Sequence, residues 1–270
     1  MKRTILALVA ALVPAFGHAA VTVKGSDTMV ILAQRWAENY MNKNAGKRVQ
    51  VTGGGSGIGI AALINGTTEV ANASRPMKEA EKAKVRDRYN ILPNEIPVAK
   101  DGLAVYVPET NPIEQLTLAQ LKGIYMGDVT NWKEVGGPDA PIVIYSRENS
   151  SGTYVFFKDN VLGGGDFAAS AQTLPGTAAV VNAVAKEKYG IGYGGAAYAK
   201  GVKEVKLIGK DGKPYAPNAE NVASGKYPLS RNLFMYTRGK PGGEAKEFID
   251  FCLSPEGQAI VTTVGYFPVK

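Results

Sequence analysis

The chain has 270 residues, 45% of them hydrophobic, which is enough to build one large core or two smaller ones. Its 31 basic and 24 acidic residues give a formal charge of +7, scattered rather than gathered into a basic stripe; this suits anionic ligands and argues against nucleic acid. The lone Cys252 excludes an intramolecular disulfide, and the only histidine, His18, falls in a leader-like segment, so histidine catalysis and the usual zinc, copper and iron sites are excluded from the rest.

Lys2 and Arg3, an apolar run over 5–16 and the small residues Gly17, Ala19 and Ala20 have the layout of a secretory signal peptide spanning 1–20. The run is too short, and Pro14 too disruptive, for a membrane span. Cleavage after Ala19 or Ala20 leaves Val21 at the start of the first strand. No cysteine stands at that junction, so no lipid anchor is expected, and the mature chain is expected in the periplasm.

From there the pattern is regular. A strand over 21–24 stops at Gly25, and Ser26, Asp27 and Thr28 lead into a helix over 29–42. A strand over 49–52 meets the glycine loop Gly53-Gly54-Gly55-Ser56-Gly57 and a helix over 58–64. A third strand over 69–73 runs into Ser74-Arg75-Pro76, followed by a helix over 78–88. These three strand–turn–helix units make half of a parallel α/β sheet, a class that places ligands at the carboxyl ends of its strands.

An apolar strand is expected over 96–107 and a helix over 117–125. A strand over 142–145 enters Ser146-Arg147-Glu148-Asn149-Ser150-Ser151-Gly152-Thr153 and a helix over 154–161, the same device a fourth time. A helix over 177–187, a strand over 190–193, a loop-rich stretch over 210–228, a strand over 232–236 and two helices over 243–264 complete the chain. Cys252 reads as a small buried hydrophobe, and Trp36 and Trp132 as packing residues.

Each of the four turns presents unpaired N–H groups at a helix N-terminus, where partial positive charge favours anions. Ser26, Thr28, Ser56, Ser74, Ser151 and Thr153 add hydroxyl donors. Arg75 and Arg147 add guanidinium forks suited to a tetrahedral oxyanion. One such turn is an ordinary helix cap; four in one chain point to a converging site. Gly57-Ile58-Gly59-Ile60-Ala61-Ala62 fits a dinucleotide fingerprint only loosely, because no acidic residue follows at the required distance. A phosphoester hydrolase using Ser56 or Ser151 with a lysine base is the enzymatic alternative. It lacks a histidine or metal cluster to support it.

Gly25-Ser26-Asp27-Thr28-Met29, Gly54-Gly55-Ser56-Gly57, Ala73-Ser74-Arg75-Pro76 and the Arg147 to Thr153 turn, with Leu253-Ser254-Pro255-Glu256-Gly257 near the end, resemble the periplasmic phosphate-binding proteins of phosphate-specific ABC transporters. The resemblance covers the mature chain in order. It implies a two-lobed periplasmic-binding-protein type II fold, each lobe a mostly parallel sheet flanked by helices, joined by two crossing strands. The lobes would be 21–103 with 229–270, and 104–228. It also implies a monomeric, non-enzymatic binding protein without cofactor or metal, which delivers inorganic phosphate to the membrane permease of an ABC transporter. Sulfate, molybdate or tungstate is the alternative ligand.

Carried over by motif, Thr28 and the N–H of Met29, Ser56, Arg147, Ser151, Gly152 and Thr153 would bind the anion, with Ser26, Ser74 and Arg75 completing the set. The third turn departs from the best-known members, which carry an acidic residue after the serine to accept the phosphate O–H. Arg75 stands there instead, so the acceptor is either missing or replaced by Asp27 or Glu148. Arg231, near the second crossing, either bridges the lobes or makes a surface ion pair.

Overall fold

The computed structural model describes residues 20–269, so the signal-peptide reading falls outside it except at Ala20. In chain order, β1 (Val21–Gly25) and a turn of 3-10 helix (Asp27–Met29) lead to α1 (Val30–Lys43). Then come β2 (Val49–Thr52), α2 (Ser56–Asn65), β3 (Val70–Ala73), α3 (Glu79–Tyr89) and β4 (Pro93–Val107). The middle of the chain holds β5 (Gln115–Leu116), α4 (Leu118–Met126), β6 (Val143–Arg147), α5 (Gly152–Asn160), β7 (Gln172–Leu174), α6 (Thr177–Lys186), β8 (Gly190–Gly195), β9 (Lys203–Ile208), β10 (Pro214–Tyr215) and α7 (Ala219–Ala223). The chain closes with β11 (Ser230–Arg238), α8 (Gly243–Leu253) and α9 (Pro255–Val264).

The main strand path runs β2-β1-β3-β11-β4-β8-β6-β7. β1 pairs in parallel with β2 and β3, and β6 in parallel with β7 and β8; β11 and β4 are antiparallel between these two sets. The long strand β4 belongs to both halves of the sheet. Residues 93–102 pair with β11, and residues 103–107 pair with β8 and β9.

Alternation along these strands explains the layers, because successive side chains point to opposite faces. In β11, Leu233 and Met235 pack with Trp36, Phe248 and Val261 from α1, α8 and α9. Phe234 and Tyr236 face the other way, toward Ile60, Leu63 and Val85 of α2 and α3. In β4, Leu103, Val105 and Val107 join Tyr125, Phe157 and Tyr193, whereas Ala104 and Tyr106 meet Val180 and Val184 of α6. Each half is thus a sheet sandwiched by helices, as expected for the class. Trp36 and Trp132 are buried with their indole N–H groups donating to Gly257 O and Tyr189 O, and Cys252 is a buried thiol whose pKa is pushed up by burial.

The structure corrects the expected elements in two places. The stretch expected to be loop-rich, 210–228, contains β10 and α7, and β5, β7 and β9 were not anticipated. β5, β7 and β10 have two or three residues each, too few to show a period. β9 does alternate, burying Val205 and Leu207, but its lysines and Glu204 mask the signal.

Glu204 stands opposite Tyr106 and is pushed up to about 7, first by burial and then by the Asp101 charge. The folded protein therefore holds a proton there that the unfolded chain, with an ordinary value of 4.5, releases. Stability falls as pH rises through that window, and the cost is fully present above it. Glu204→Gln should stabilise the protein by about 1–2 kcal/mol at pH 8, after discounting for solvent, and by little at pH 4. Urea unfolding at both values checks this; an equal effect at each would contradict it.

Candidate functional site

The four turns come together. Thr28 follows β1, Ser56 opens α2, Ser74 follows β3, and Thr153 lies in the first turn of α5. All four side chains are buried, at 0–1% exposure. Thr28 Oγ1 lies 2.7 Å from Thr153 Oγ1, Ser74 Oγ lies 3.4 Å from the same atom, and Ser56 Oγ lies 3.3 Å from Ser74 Oγ. The Ser74 N–H also donates to Ser56 Oγ at 3.0 Å. Four hydroxyls distant in sequence thus form one connected, open ring: the contacts run Thr28–Thr153–Ser74–Ser56, with none between Ser56 and Thr28 to close it.

Local chemistry sets up each turn. Ser151 caps α5, its oxygen accepting from the N–H groups of Thr153 and Tyr154 at 3.2 Å, which leaves its hydroxyl proton to donate elsewhere. Ser56 and Gly152 occupy the first positions of α2 and α5, where the N–H has no intrahelical acceptor. Gly55 precedes α2 at φ 97°, and a Cβ there would stand 2.6 Å from Ser150 O. Only glycine combines that conformation with that approach. At Gly152 a Cβ would stand 2.3 Å from Ser56 Oγ and 2.7 Å from Ser74 Oγ, so a backbone without a side chain packs directly against the ring.

Several contacts tie the turns after β6 and β8 to the turns of the other half. Gly57 N–H donates to Ser150 O at 2.8 Å, and the Tyr198 hydroxyl donates to Asp27 O at 2.7 Å. Burial pushes the Tyr198 phenol up to about 12. Arg147, 1% exposed, donates through Nη2 to Asp27 and Glu148, through Nε to Glu148 and through Nη1 to Thr177. Burial would raise the Glu148 carboxyl, but the hydrogen bonds and charge of Arg147 hold it below its ordinary value.

The expected site residues therefore separate into groups. Thr28, Ser56, Ser74, Gly152 and Thr153 form or abut the ring, and Ser151 caps the helix beneath it. Ser26 is buried and its hydroxyl has no partner among the described residues. The Met29 N–H, expected to face an anion, donates to Ser26 O at 3.0 Å within the 3-10 turn. Asp27, a candidate acceptor, takes hydrogen bonds from Gly54 N–H at 2.8 Å and Arg147 at 3.0 Å. Glu148, the other candidate, grips Arg147.

Arg75 is placed apart from the ring. Its guanidinium is held by both oxygens of Glu81, at 2.7 and 2.8 Å, and by Pro76 O. It makes no hydrogen bond to the ring. Glu81 also accepts from Lys78 N–H at the start of α3, so the carboxylate that caps the helix draws the arginine away.

The guanidinium that does reach the ring belongs to Arg231. Its Nη2 donates to Thr153 Oγ1 at 3.0 Å and its Nη1 to Ser74 O at 3.2 Å, while Asp101 anchors it at 2.7 and 3.0 Å. Both residues are buried. Of the two readings of Arg231, the bridge between halves holds and the surface ion pair does not. Asp101 was not singled out in the sequence. Its signal was the one carboxylate within the apolar run over 96–107.

The family model described as the PBP superfamily domain matches residues 13–256. The phosphate-binding protein PstS of Pseudomonas aeruginosa is 35% identical over 263 residues, covering 91% of this chain and 81% of that protein. PstS of Staphylococcus epidermidis is 35% identical over 246 residues, covering 87% of this chain and 75% of that protein. Among solved structures, a candidate phosphate ABC transporter substrate-binding protein from Clostridium perfringens, solved with bound phosphate, matches with a TM-score of 0.84 and 34% identity, over 93% of this chain and all of that one. An ABC-type phosphate transport receptor from Vibrio cholerae gives a TM-score of 0.74 and 31% identity over 92% of this chain and 99% of that one. The chain therefore belongs to the PBP superfamily and, within it, to the family of PstS phosphate-binding proteins.

Proposed function

We propose that this protein captures inorganic phosphate between its two halves and delivers it to an ABC importer. The ring of Thr28, Ser56, Ser74 and Thr153 carries the reading. The charges around the ring do not make a basic pocket: Arg147 meets two carboxylates, and Arg231 and Arg75 meet one each. Binding then rests on neutral donors at fixed geometry. Hydroxyls, the N–H groups that open α2 and α5, and one Arg231 fork replace the hydration shell. Hydrogen bonds to a charged group contribute about 1.5–3 kcal/mol each, so several reach micromolar affinity or better after association costs.

The lobes divide near 103 and 229, and closing them around the anion makes the contacts that join the turns. The protein binds without reacting, consistent with its relatives being named as binding proteins. The hydroxyls of Ser56 and Ser151 make hydrogen bonds to hydroxyls and backbone N–H groups, and none to a lysine, among the described residues. Residues 1–20 act as a cleaved export signal, leaving an unlipidated monomer outside the cytoplasm.

Equilibrium dialysis with labelled phosphate, on protein unfolded and refolded to strip carried-over anion, tests this. A dissociation constant of about micromolar or tighter is expected, resisting a roughly hundredfold excess of sulfate. Displacement by equimolar sulfate would favour the other-oxyanion reading.

A further inference from the structure

The third turn carries Arg75 where an acceptor for a phosphate O–H was expected, and Arg75 is bound up with Glu81. Asp27 and Glu148 take hydrogen bonds from Arg147. A buried site that selects a protonated oxyanion needs a carboxylate oxygen left over, and one exists. Asp101 is fully buried on β4, at the point where the strand passes from one half to the other. Arg231 donates to it through both Nε and Nη2, but both bonds end on the same oxygen, Oδ2. A guanidinium fork ordinarily spans both oxygens of a carboxylate. Here Oδ1 has no hydrogen-bond partner among the described residues.

The surroundings of Oδ1 explain why no neighbour satisfies it. The point where a Gly195 Cβ would stand lies 3.2 Å from Asp101 Oδ1, 3.1 Å from Thr28 Cγ2 and 3.0 Å from the Tyr266 hydroxyl. The side chain that this glycine lacks leaves a space bordered by this oxygen and by the methyl group of Thr28, a member of the ring. The phenols beside Gly195 and Gly194 are committed elsewhere: Tyr266 donates to Thr28 O, and Tyr106 donates to Gly195 O at 2.5 Å. Arg231 reaches from the same carboxylate to Thr153 Oγ1 and Ser74 O, so one charged pair touches the ring.

We propose that Asp101 Oδ1 accepts the proton of the bound anion's P–OH group, and that Arg231, neutralised by the same carboxylate, presents its N–H groups to the anion's other oxygens. The proposal rests on the phosphate-capture reading and makes Asp101 the residue that decides which oxyanion is kept. A phosphate or arsenate monoanion or dianion carries the required O–H. Sulfate carries none, and its oxygens would face an uncompensated carboxylate. The carboxylate lies on a crossing strand rather than in the third turn, 26 residues after Arg75.

The test compares three anions at pH 8 by calorimetry: phosphate, fluorophosphate and sulfate. Fluorophosphate matches the phosphate dianion in charge and size but has fluorine in place of the hydroxyl. Wild-type protein should bind phosphate at least about a hundredfold more tightly than either of the others, because a site built around a ligand O–H rejects the analogue that lacks it. In Asp101→Asn the amide oxygen can take Arg231 and the amide N–H₂ can occupy the place of Oδ1, turning acceptor into donor. Its preference for phosphate should then shrink to about fivefold or less, with sulfate gaining about tenfold or more. Wild type that binds phosphate and fluorophosphate equally would overturn the proposal, and this arm needs no variant to fold. So would an Asp101→Asn protein that loses all three anions in proportion, the mark of a residue that only supports Arg231. Wild type that binds no phosphate would defeat the capture reading itself.

Discussion

Gly152→Ala should lower phosphate affinity by about a hundredfold or more while leaving the ligand-free protein as stable as wild type, or up to about 1 kcal/mol more so. The added methyl would stand 2.3 Å from Ser56 Oγ and 2.7 Å from Ser74 Oγ. Those hydroxyls belong to the other half, so opening the halves relieves the clash, whereas closing them restores it. Within α5 itself alanine is the better helix former. The expected signature is therefore split: calorimetry with phosphate shows the loss, and chemical unfolding without ligand shows none. A variant that binds as wild type would mean that the ring does not close around the anion.

Arg147→Ala should weaken both binding and folding. Its guanidinium is buried and joins Asp27 of one half to Glu148 and Thr177 of the other. Removing one partner of a buried ion pair strands the remaining charge, typically at a cost of about 3–5 kcal/mol. Asp27 and Glu148 are partly solvated, so about 2–4 kcal/mol is expected at pH 7, together with loss of tight phosphate binding. The pH dependence has a definite sign. Because Arg147 holds the Glu148 carboxyl below its ordinary value, the stabilisation is present above that value and is lost as pH falls through the folded one. The stability gap between wild type and variant should therefore narrow in acid, and denaturant titrations at pH 7 and pH 4 read it. A gap independent of pH would place the stabilisation in packing rather than in charge.

The ring was legible because each of its members belongs to a local pattern. A strand end, a small hydroxyl residue and a helix start appear within a few residues, four times. Caps of this kind are decided by short-range backbone chemistry, which the sequence displays directly. The pairing of Arg75 with Glu81 has a local signal too, which the turn pattern alone does not show: Glu81 is the third residue of α3, where a capping carboxylate belongs. The pairing of Asp101 with Arg231 is another matter. The two residues are 130 positions apart and meet only through the antiparallel register of β4 with β11. What the sequence displayed was a carboxylate in one largely apolar strand, near Glu95 and Lys100, and an arginine in another that also carries Arg238, and register is a long-range property. The short strands β5, β7 and β10 escaped for a similar reason, since they exist only as partners of β9 and β6.

The division of labour among the arginines follows from the same geometry. Arg75 fastens the third turn to α3, Arg147 joins the turns of the two halves, and Arg231 reaches the ring. A chain with a modest positive charge thus arrives at a site whose guanidinium charges are already matched by carboxylates. Discrimination between anions then depends on hydrogen-bond matching more than on net charge.

The most direct measurement is a crystal structure of the refolded, signal-free protein grown with phosphate. One phosphate is expected there, with its oxygens at hydrogen-bonding distance, about 2.5–3.0 Å, from the hydroxyls of Thr28, Ser56, Ser74 and Thr153. Phosphate bound elsewhere while those four hydroxyls bond only to one another would contradict it.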